Sequence, residues 1–209
     1  MINTVVVEDN MFMQKHFANM FAANERFHVV EFLRDAFEAE PICADKSIDL
    51  VLMDVQTLHN HSGIAAGERI RQASPGTKVV VVTSLVDPEI LEKAKNSVDS
   101  LWYKDHGDAD IMDVIERTLA GEHVFPDESP TVELKDMLST DLTDRQLAIL
   151  RYFAHGFSYV EIAEKMEITK GGVKWNLDKI AEMSGFENRH KLLSAVIDSK
   201  FIMTLLEEK

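Results

Sequence analysis

The sequence has little cysteine, fewer basic than acidic residues, and no long apolar segment. Its 209 residues include one cysteine, Cys43, which excludes a disulfide framework within the chain and indicates a reducing compartment. No apolar run approaches the roughly 20 residues needed to span a bilayer, and the first residues lack the basic flank of a secretory signal. We therefore expect a soluble, cytoplasmic protein with no membrane partner.

The charge is distributed unevenly along the chain. The net charge is −14, with 22 Lys and Arg against 36 Asp and Glu. Residues 1–138 carry 25 acidic and 12 basic side chains, whereas residues 139–209 carry 11 and 10. Attraction to nucleic acid depends on the charge of the domain that touches it. The nearly neutral second part therefore permits DNA binding without indicating it strongly.

The first part of the chain alternates strand and helix patterns. Apolar, β-branched runs predict five strands, the last two more weakly: Thr4–Val7, Ile48–Met53, Lys78–Thr83, His28–Phe32 and Asp99–Tyr103. Helical periods predict five helices between them: Met11–Ala23, Ala36–Ala44 with an interruption at Pro41, Gly63–Ala73, Pro88–Ser97 and Asp110–Leu119. This alternation predicts an α/β domain over residues 1–121, with a doubly wound, five-stranded parallel sheet.

Residues 122–141 are predicted to form a linker, because they contain prolines and acids without a clear period. A short helical turn is expected around Leu134–Leu138.

Residues 142–209 are predicted to form a small all-α domain with a helix-turn-helix arrangement of four helices. Thr143 and Gln146 form a capping box, and Ser158 and Thr169 can cap the next two helices. The fourth helix is expected from about Asn188 to Lys200. In the third, one apolar stripe predicts the buried face: Val173, Leu177, Ile180 and Ser184.

Polar residues follow the predicted strands of the first domain. Glu8 and Asp9 follow the first strand, Asp54 the third, Thr83 ends the fourth and Lys104 follows the fifth. The carboxyl ends of parallel strands lie at one edge of the sheet, so these side chains should converge. Carboxylates gathered together need a cation or a proton, and oxygen ligands suit Mg²⁺.

This arrangement assigns a role to each residue. Asp54 is the expected nucleophile for a phosphoryl group. The expected Mg²⁺ ligands are Asp9, Asp54, the backbone carbonyl of Gln56 and, through water, Glu8. Lys104 supplies a positive charge, and Thr83 a hydroxyl donor, to the phosphoryl group.

The first domain resembles the flavodoxin-like receiver domain of bacterial response regulators. The resemblance rests on the segments VVVED (Val5–Asp9), VLMD (Val51–Asp54), VVVTS (Val80–Ser84) and WYKD (Trp102–Asp105). It implies a sensor histidine kinase as phosphoryl donor, and a rotation of Thr83 toward the phosphate that restructures the face formed by the fourth helix, fifth strand and fifth helix.

Three features depart from the receiver pattern. Leu58 replaces a common proline, and Leu101 replaces a common aromatic residue. The loop Gln56–Ser62 is long and contains His59 and His61. We interpret the two histidines as solvated loop residues, with a metal site as the second interpretation.

Residues 142–201 resemble the DNA-binding domain of the NarL/LuxR family. The matching segments are LTDRQLAIL (Leu142–Leu150), GFSYVEIAEKMEIT (Gly156–Thr169), GVKWNLDKI (Gly172–Ile180) and GFENRHKLL (Gly185–Leu193). The resemblance implies that helix Thr169–Ser184 enters a major groove. The expected contacts to double-stranded DNA are Lys170, Lys174, Trp175, Asn176 and Lys179.

Other interpretations of this helix stay open. Trp175 can meet a thymine methyl group, or pack against a partner protein or a neighbouring helix. Asp178 and Glu182 would be repelled by phosphates, although Asp178 can instead accept from a cytosine amino group.

The sequence thus predicts a transcription regulator in which phosphorylation of Asp54 controls DNA binding by an active homodimer. The receiver would assist only its own phosphoryl transfer and would not be a turnover enzyme. Two alternatives are a receiver joined to a protein-interaction module, and a receiver-like domain that is never phosphorylated.

Overall fold

The computed structural model describes residues 1–104, 110–199 and 201. The chain divides into two compact units, one holding most of residues 1–128 and the other most of residues 129–205. None of the helices within these described stretches is both long and apolar enough to cross a membrane.

The first unit contains a five-stranded parallel sheet with the order β2-β1-β3-β4-β5. Its strands are β1 Ile2–Val7, β2 Phe27–Leu33, β3 Leu50–Asp54, β4 Lys78–Thr83 and β5 Ser100–Tyr103. Every residue of β3 is buried, as expected of a central strand covered on both faces. The doubly wound prediction is confirmed.

In the described part of this unit, four helices connect the strands and a fifth follows β5: α1 Met11–Ala22, α2 Ala39–Asp45, α3 Gly63–Ala73, α4 Pro88–Ser97 and α5 Ile111–Leu119. The predicted helix Ala36–Ala44 was wrong in one detail. It is interrupted before Ala39, where a 3-10 turn at Ala36–Glu38 gives way to α2, and not at Pro41. Pro41 lies in the first turn of α2, where a helix needs no backbone N–H donor.

The core of this unit includes one layer between the sheet and the two helices α1 and α5. Phe17 and Phe21 of α1 and Ile115 of α5 pack with strand residues such as Leu52 and Val80. Burial of such large side chains stabilises the fold by about 1.5–3 kcal/mol each. This core holds the strand ends in fixed positions.

The second unit is mainly helical: α6 Asp144–Ala154, α7 Tyr159–Lys165, α8 Lys170–Met183 and α9 Arg189–Asp198. The predicted capping box is present, because Thr143 Oγ1 accepts from the Gln146 N–H and Gln146 Oε1 from the Thr143 N–H. Ser158 and Thr169 cap α7 and α8 as predicted. Lys200 and residues 202–209, which the predicted domain includes, lie outside the described residues.

The predicted buried face of α8 is confirmed. Its four residues are all fully buried: Val173, Leu177, Ile180 and Ser184. Ser184 is tolerated in this apolar setting because its hydroxyl donates to the carbonyl of Ile180 at 2.6 Å.

The predicted helical turn around Leu134–Leu138 was wrong. These residues form a hairpin, in which β6 Glu133–Leu134 pairs with β7 Met137–Leu138 in antiparallel register. The turn is tight, and Lys135 takes the left-handed conformation at φ 58°. Leu134 and Leu138 have the spacing of one helical turn, so the apolar pattern did not distinguish the two structures.

Candidate functional site

The predicted strand-end residues converge in an acidic pocket, defined here as Glu8, Asp9, Asp54 and Lys104. Strands β1 and β3 are neighbours, with Val7 paired to Met53, so the acids that follow Val7 lie beside Asp54. One carboxylate oxygen from each of Glu8, Asp9 and Asp54 lies within 4.8 Å of the others. Residues far apart in sequence therefore form a single carboxylate cluster.

Lys104 closes this pocket from β5. Its Nζ lies 2.6 Å from Glu8 Oε2 and 2.9 Å from Asp54 Oδ2. Its backbone N–H donates to the carbonyl of Thr83 at 2.8 Å, which fixes the lysine at the end of the strand pair. Asp105, the last residue of the segment WYKD, lies outside the described residues.

Burial changes the acid–base properties of the pocket. Desolvation, together with the nearby charge of Glu8 and against the opposing charge of Lys104, raises the pKa of Asp54 to about 7. Burial alone would lower the pKa of Lys104, but the carboxylates of Asp54 and Glu8 raise it above its usual value. Near neutral pH, the Asp54 side chain is therefore divided between its protonated and ionised forms.

The loop after β3 holds the backbone of Asp54 in place. The N–H of Gly63 donates to the carbonyl of Val55 at 2.9 Å, and Gln56 pairs with Ser62 in a single bridge. A Cβ atom at Gly63 would lie 1.9 Å from the carbonyl oxygen of Asp54. Glycine is therefore required here, a constraint that the sequence analysis missed.

The structure also gives the positions of two residues that the sequence singled out, Thr83 and Leu101, and of one that it did not, Arg34. Thr83 is fully buried at the end of β4, one residue beyond the partner of Asp54. Leu101 is buried in β5. Arg34, which sequence reasoning did not single out, points Nη2 toward the backbone carbonyl of Asp9 at 3.4 Å.

The two loop histidines differ from the solvated residues that we expected. Both contact the same carboxylate, that of the buried Asp35. The side chain of His61 is only 22% exposed, so the prediction of a solvated residue was wrong for it. Asp35 lies two residues after the end of β2, but its pairing with the histidines is revealed only by the folded loop.

On the second unit, the start of α8 presents cationic and aromatic groups to solvent. Lys170 and Lys174 are exposed one turn apart, and the side chain of Trp175 is 64% exposed. Trp175 therefore does not pack into the core of this unit. The ammonium of Lys174 lies 5.7 Å from the centre of the Tyr159 ring, a cation–π contact with α7.

The other two predicted contact residues bond within α8. The Asn176 amide donates to the carbonyl of Gly172 at 2.9 Å, and Lys179 pairs with Glu182 at 3.0 Å. These two side chains are therefore less available than Lys170 and Lys174.

Asp178 makes an unpredicted contact with α9. Its two carboxylate oxygens accept from Arg189 Nε at 2.5 Å and from Nη2 at 3.1 Å. Arg189 also donates to the hydroxyl of Tyr159 at 3.0 Å. The expected repulsion between Asp178 and phosphates is thus offset by a cation held directly against it.

Comparisons with known proteins follow the same division of the chain. Residues 4–116 match the family model of the response regulator receiver domain. Residues 130–209 match the model of a helix-turn-helix protein described as YlxM / p13 like. The response regulator protein VraR of Staphylococcus epidermidis is 28% identical over 198 residues, covering 90% of this chain and 92% of the relative. VraR of Staphylococcus aureus is 28% identical over the same coverage.

Solved structures show the same fold. RcsB from Salmonella enterica serovar Typhimurium, bound to promoter rprA with the phosphomimetic BeF3⁻, superposes with a TM-score of 0.59 at 19% identity. That match covers 94% of this chain and 98% of the RcsB chain. A LuxR-family two-component response regulator from Aurantimonas sp. SI85-9A1 gives a TM-score of 0.54 at 23% identity, over 58% of this chain and 87% of its own.

Proposed function

The chain belongs to the response regulators, whose receiver domain its residues 4–116 match, and from that premise we propose that Asp54 is its phosphoryl acceptor. The observation that carries the proposal is the acidic pocket, in which Lys104 lies 2.9 Å from the Asp54 carboxylate beside two further acids. We assign the receiver to residues 1–121, the linker to residues 122–141 and the DNA-binding domain to residues 142–209.

The pocket residues fit a magnesium ion. Three carboxylate oxygens within 4.8 Å of one another form a hard, all-oxygen donor set, which Mg²⁺ prefers. Asp9 and Asp54 would hold the ion directly, with Glu8 through water and the backbone carbonyl of Gln56 as a further ligand. Bound there, the ion supplies positive charge that offsets the charge of the transferring phosphoryl oxygens.

The chain's own residues then carry the transfer. An oxygen of the Asp54 carboxylate attacks the phosphorus of a phosphohistidine on a sensor kinase. A P–O bond forms while the P–N bond breaks, and the histidine nitrogen keeps the electron pair. Lys104 stabilises the transferred group by its charge. Thr83 donates its hydroxyl to a phosphoryl oxygen, and its rotation transmits the phosphorylated state.

Intact mass spectrometry with acetyl phosphate and Mg²⁺ tests this proposal. The wild type should gain the mass of one phosphoryl group, and the gain should disappear with Asp54→Asn or with a chelator. Asp45→Asn, which alters an exposed acid at the end of α2, is the control and should gain the same mass. If the wild type gains no mass, the chain is a receiver-like domain that is not phosphorylated.

The second unit is proposed to bind double-stranded DNA through α8. VraR is a relative named as a response regulator, and one RcsB structure is described as two dimers bound to two parallel DNAs. Here Lys170 and Lys174 lie exposed at the N-terminal end of α8, where the helix dipole adds attraction for phosphate. Trp175 lies beside Lys174, positioned to contact a base edge.

Salt dependence of DNA affinity tests this assignment. Each phosphate contact contributes a slope of about −0.9 in log K against log salt concentration. Lys170→Ala and Lys174→Ala should each make the slope less negative by about that amount. Lys191→Ala, which alters an exposed lysine of α9 paired with Glu187, should leave the slope unchanged. A binding constant indifferent to salt would instead favour a protein-interaction module.

We further propose that the phosphorylated chain is a homodimer. Two chains would place two copies of α8 on successive major grooves, as paired helix-turn-helix domains require. Light scattering after size exclusion should show a doubled mass with phosphodonor for the wild type, and a monomer for Asp54→Asn. An unchanged mass would contradict the dimer.

A further inference from the structure

Tyr159 is the first residue of α7, and the turn before it fixes where its side chain leaves the backbone. Gly156 takes the left-handed conformation at φ 81°, which ends α6 and redirects the chain. Ser158 then caps α7, because its Oγ accepts from the Glu161 N–H at 3.3 Å and its own N–H donates to the Glu161 carboxylate at 2.8 Å. This reciprocal capping box holds the start of the helix in one conformation.

The ring of Tyr159 contacts side chains from three other helices. It stacks on Phe153 of α6, with 5.9 Å between the ring centres and 28° between the planes. The ammonium of Lys174 in α8 lies 5.7 Å from its centre, and the guanidinium of Arg189 in α9 lies 5.5 Å away. Aromatic faces attract cations, so this ring holds two positive groups together beside α8.

The hydroxyl of Tyr159 keeps a hydrogen to donate. Arg189 Nη1 donates to the hydroxyl oxygen at 3.0 Å. A guanidinium offers donors only, so the hydroxyl is the acceptor in this bond and its own hydrogen is left over. Among the residues that the structure describes, none accepts that hydrogen. Because accepting from a cation polarises the O–H group, this phenol is also a stronger donor than an isolated one.

Arg189 joins this hydroxyl to the exposed face of α8. Its Nε and Nη2 donate to the carboxylate of Asp178 at 2.5 and 3.1 Å. Asp178 is exposed and lies one helical turn after Lys174, so the two side chains share one face. Tyr159 contacts Lys174 directly and Asp178 through Arg189. The tyrosine, itself partly exposed, therefore borders the surface on which the proposed DNA contacts lie.

The groups at this border match a phosphodiester. In the described part of the chain, the Lys174 ammonium has no hydrogen-bond or ion-pair partner besides its contact with the Tyr159 ring. The carboxylate of Asp178 is already paired with Arg189. Two donors, one charged and one neutral, are thus left for an outside acceptor. Lysine and tyrosine side chains are both common donors to the phosphate oxygens of DNA.

We propose that Tyr159 contacts the DNA backbone, donating its hydroxyl to a phosphate oxygen beside the phosphate that Lys174 binds. This inference rests on the proposed binding of double-stranded DNA by α8. It adds a contact from α7, since the contacts expected from the sequence all lie in α8. A hydroxyl adds a directed hydrogen bond without adding charge. It therefore contributes to affinity and orientation, but displaces no counterion from the DNA.

Tyr159→Phe tests the proposal, because it removes the hydroxyl and keeps the ring. Binding of the full-length protein, incubated with acetyl phosphate and Mg²⁺, to a mixed-sequence DNA duplex is measured by fluorescence anisotropy at several salt concentrations. Affinity should fall about 10-fold, as expected for a lost hydrogen bond to a charged group. The slope of log K against log salt concentration should stay that of the wild type, whereas Lys174→Ala should make it less negative by about 0.9.

Two controls separate a phosphate contact from indirect effects. Tyr152→Phe removes a hydroxyl from α6, where the ring packs edge-on against Phe157 at 5.5 Å, and should bind like the wild type. Tyr159→Phe also releases one donor of Arg189, so the substitution is repeated in an Asp178→Asn background. There the loss of affinity should be as large as before, because no carboxylate remains at position 178 to repel phosphate.

The outcomes distinguish this inference from the function on which it rests. Wild-type binding that depends on salt, with equal affinity in Tyr159→Phe, overturns the inference and leaves DNA binding by α8 intact. A changed salt slope in Tyr159→Phe, or a loss that disappears with Asp178→Asn, also overturns it, since Tyr159 would then act through a charged neighbour. Wild-type affinity that is indifferent to salt contradicts DNA binding itself, and the inference with it.

Discussion

The charged side chains of the acidic pocket in the receiver are buried, whereas those on the exposed face of α8 are in contact with solvent. In the pocket, Lys104 and its carboxylate partners are almost fully buried and bonded to one another. On α8, Lys170 and Lys174 stand in solvent, and Asp178 is paired with Arg189 at the surface. Buried charges in low dielectric interact strongly, whereas exposed pairs are screened. The pocket should therefore control stability and chemistry, and the α8 face should control affinity and its salt dependence.

The largest effect should follow from Lys104→Met. It leaves buried carboxylates without their cation, which typically costs 3–5 kcal/mol, so we expect the free energy of unfolding at pH 8 to fall by about that amount. Fluorescence of Trp102 in β5, in a Trp175→Phe background, reports unfolding of the receiver. Lys95→Met is the control, because it breaks an exposed pair with Glu92 and should change stability by under about 0.5 kcal/mol. Equal losses of unfolding free energy in Lys104→Met and Lys95→Met would contradict the distinction between buried and exposed charge.

A smaller loss is expected from Gly63→Ala. The added Cβ would meet the carbonyl oxygen of Asp54 at 1.9 Å, so β3 or α3 must shift. Overpacking of this kind costs about 1–3 kcal/mol, and the rate of phosphorylation should fall as Asp54 is displaced. In Gly76→Ala, no atom lies within 4 Å of the new Cβ. This variant should keep both the stability and the phosphorylation rate of the wild type. A phosphorylation rate unchanged in Gly63→Ala would show that the acceptor position tolerates movement.

The pH dependence of stability should distinguish Asp54 from surface acids. Its pKa is raised to about 7 in the fold, against about 3.9 in an unfolded chain. The folded state therefore binds the proton more tightly, and this contribution to stability is present below pH 4 and lost as the pH rises to 7. Without divalent ions, Asp54→Asn should gain stability over the wild type across that window. A difference independent of pH would show that Asp54 does not titrate in this range.

The smallest effect is expected for the pair of Asp178 and Arg189. The Arg189 side chain is 26% and the Asp178 side chain 59% exposed, so a double-mutant cycle of Asp178→Asn and Arg189→Met should give a coupling of at most about 1 kcal/mol. DNA affinity should nevertheless drop in Arg189→Met, because the freed carboxylate faces phosphate, and Asp178→Asn should restore it. A coupling of several kcal/mol would show that this exposed pair interacts as strongly as the buried charges of the acidic pocket, which would contradict the comparison.

The acidic pocket could be predicted from the sequence, because the topology of a parallel sheet alone brings the strand ends together. The order of Glu8, Asp54 and Lys104 along the chain, with buried strands before them, determines their meeting point once the sheet is parallel. Periodicity likewise located the buried face of α8, since Val173, Leu177 and Ile180 repeat at helical spacing.

The remaining features depend on side chains that meet without a periodic signal. Asp35 and His61 lie on different loops, and Asp178 and Arg189 on different helices. The hairpin at Leu134–Met137 depends on a left-handed Lys135, a conformation that composition does not predict. Such contacts can be recognised only in the folded structure, where the backbone brings the side chains together.

The link between the two regions is tested most directly by one titration of DNA with full-length protein, before and after incubation with acetyl phosphate and Mg²⁺. The protein bound at a given salt concentration should change on phosphorylation in the wild type and in Asp45→Asn, and stay constant in Asp54→Asn. A wild type that gains the phosphoryl group yet binds DNA with unaltered affinity would contradict control of the second domain by the first.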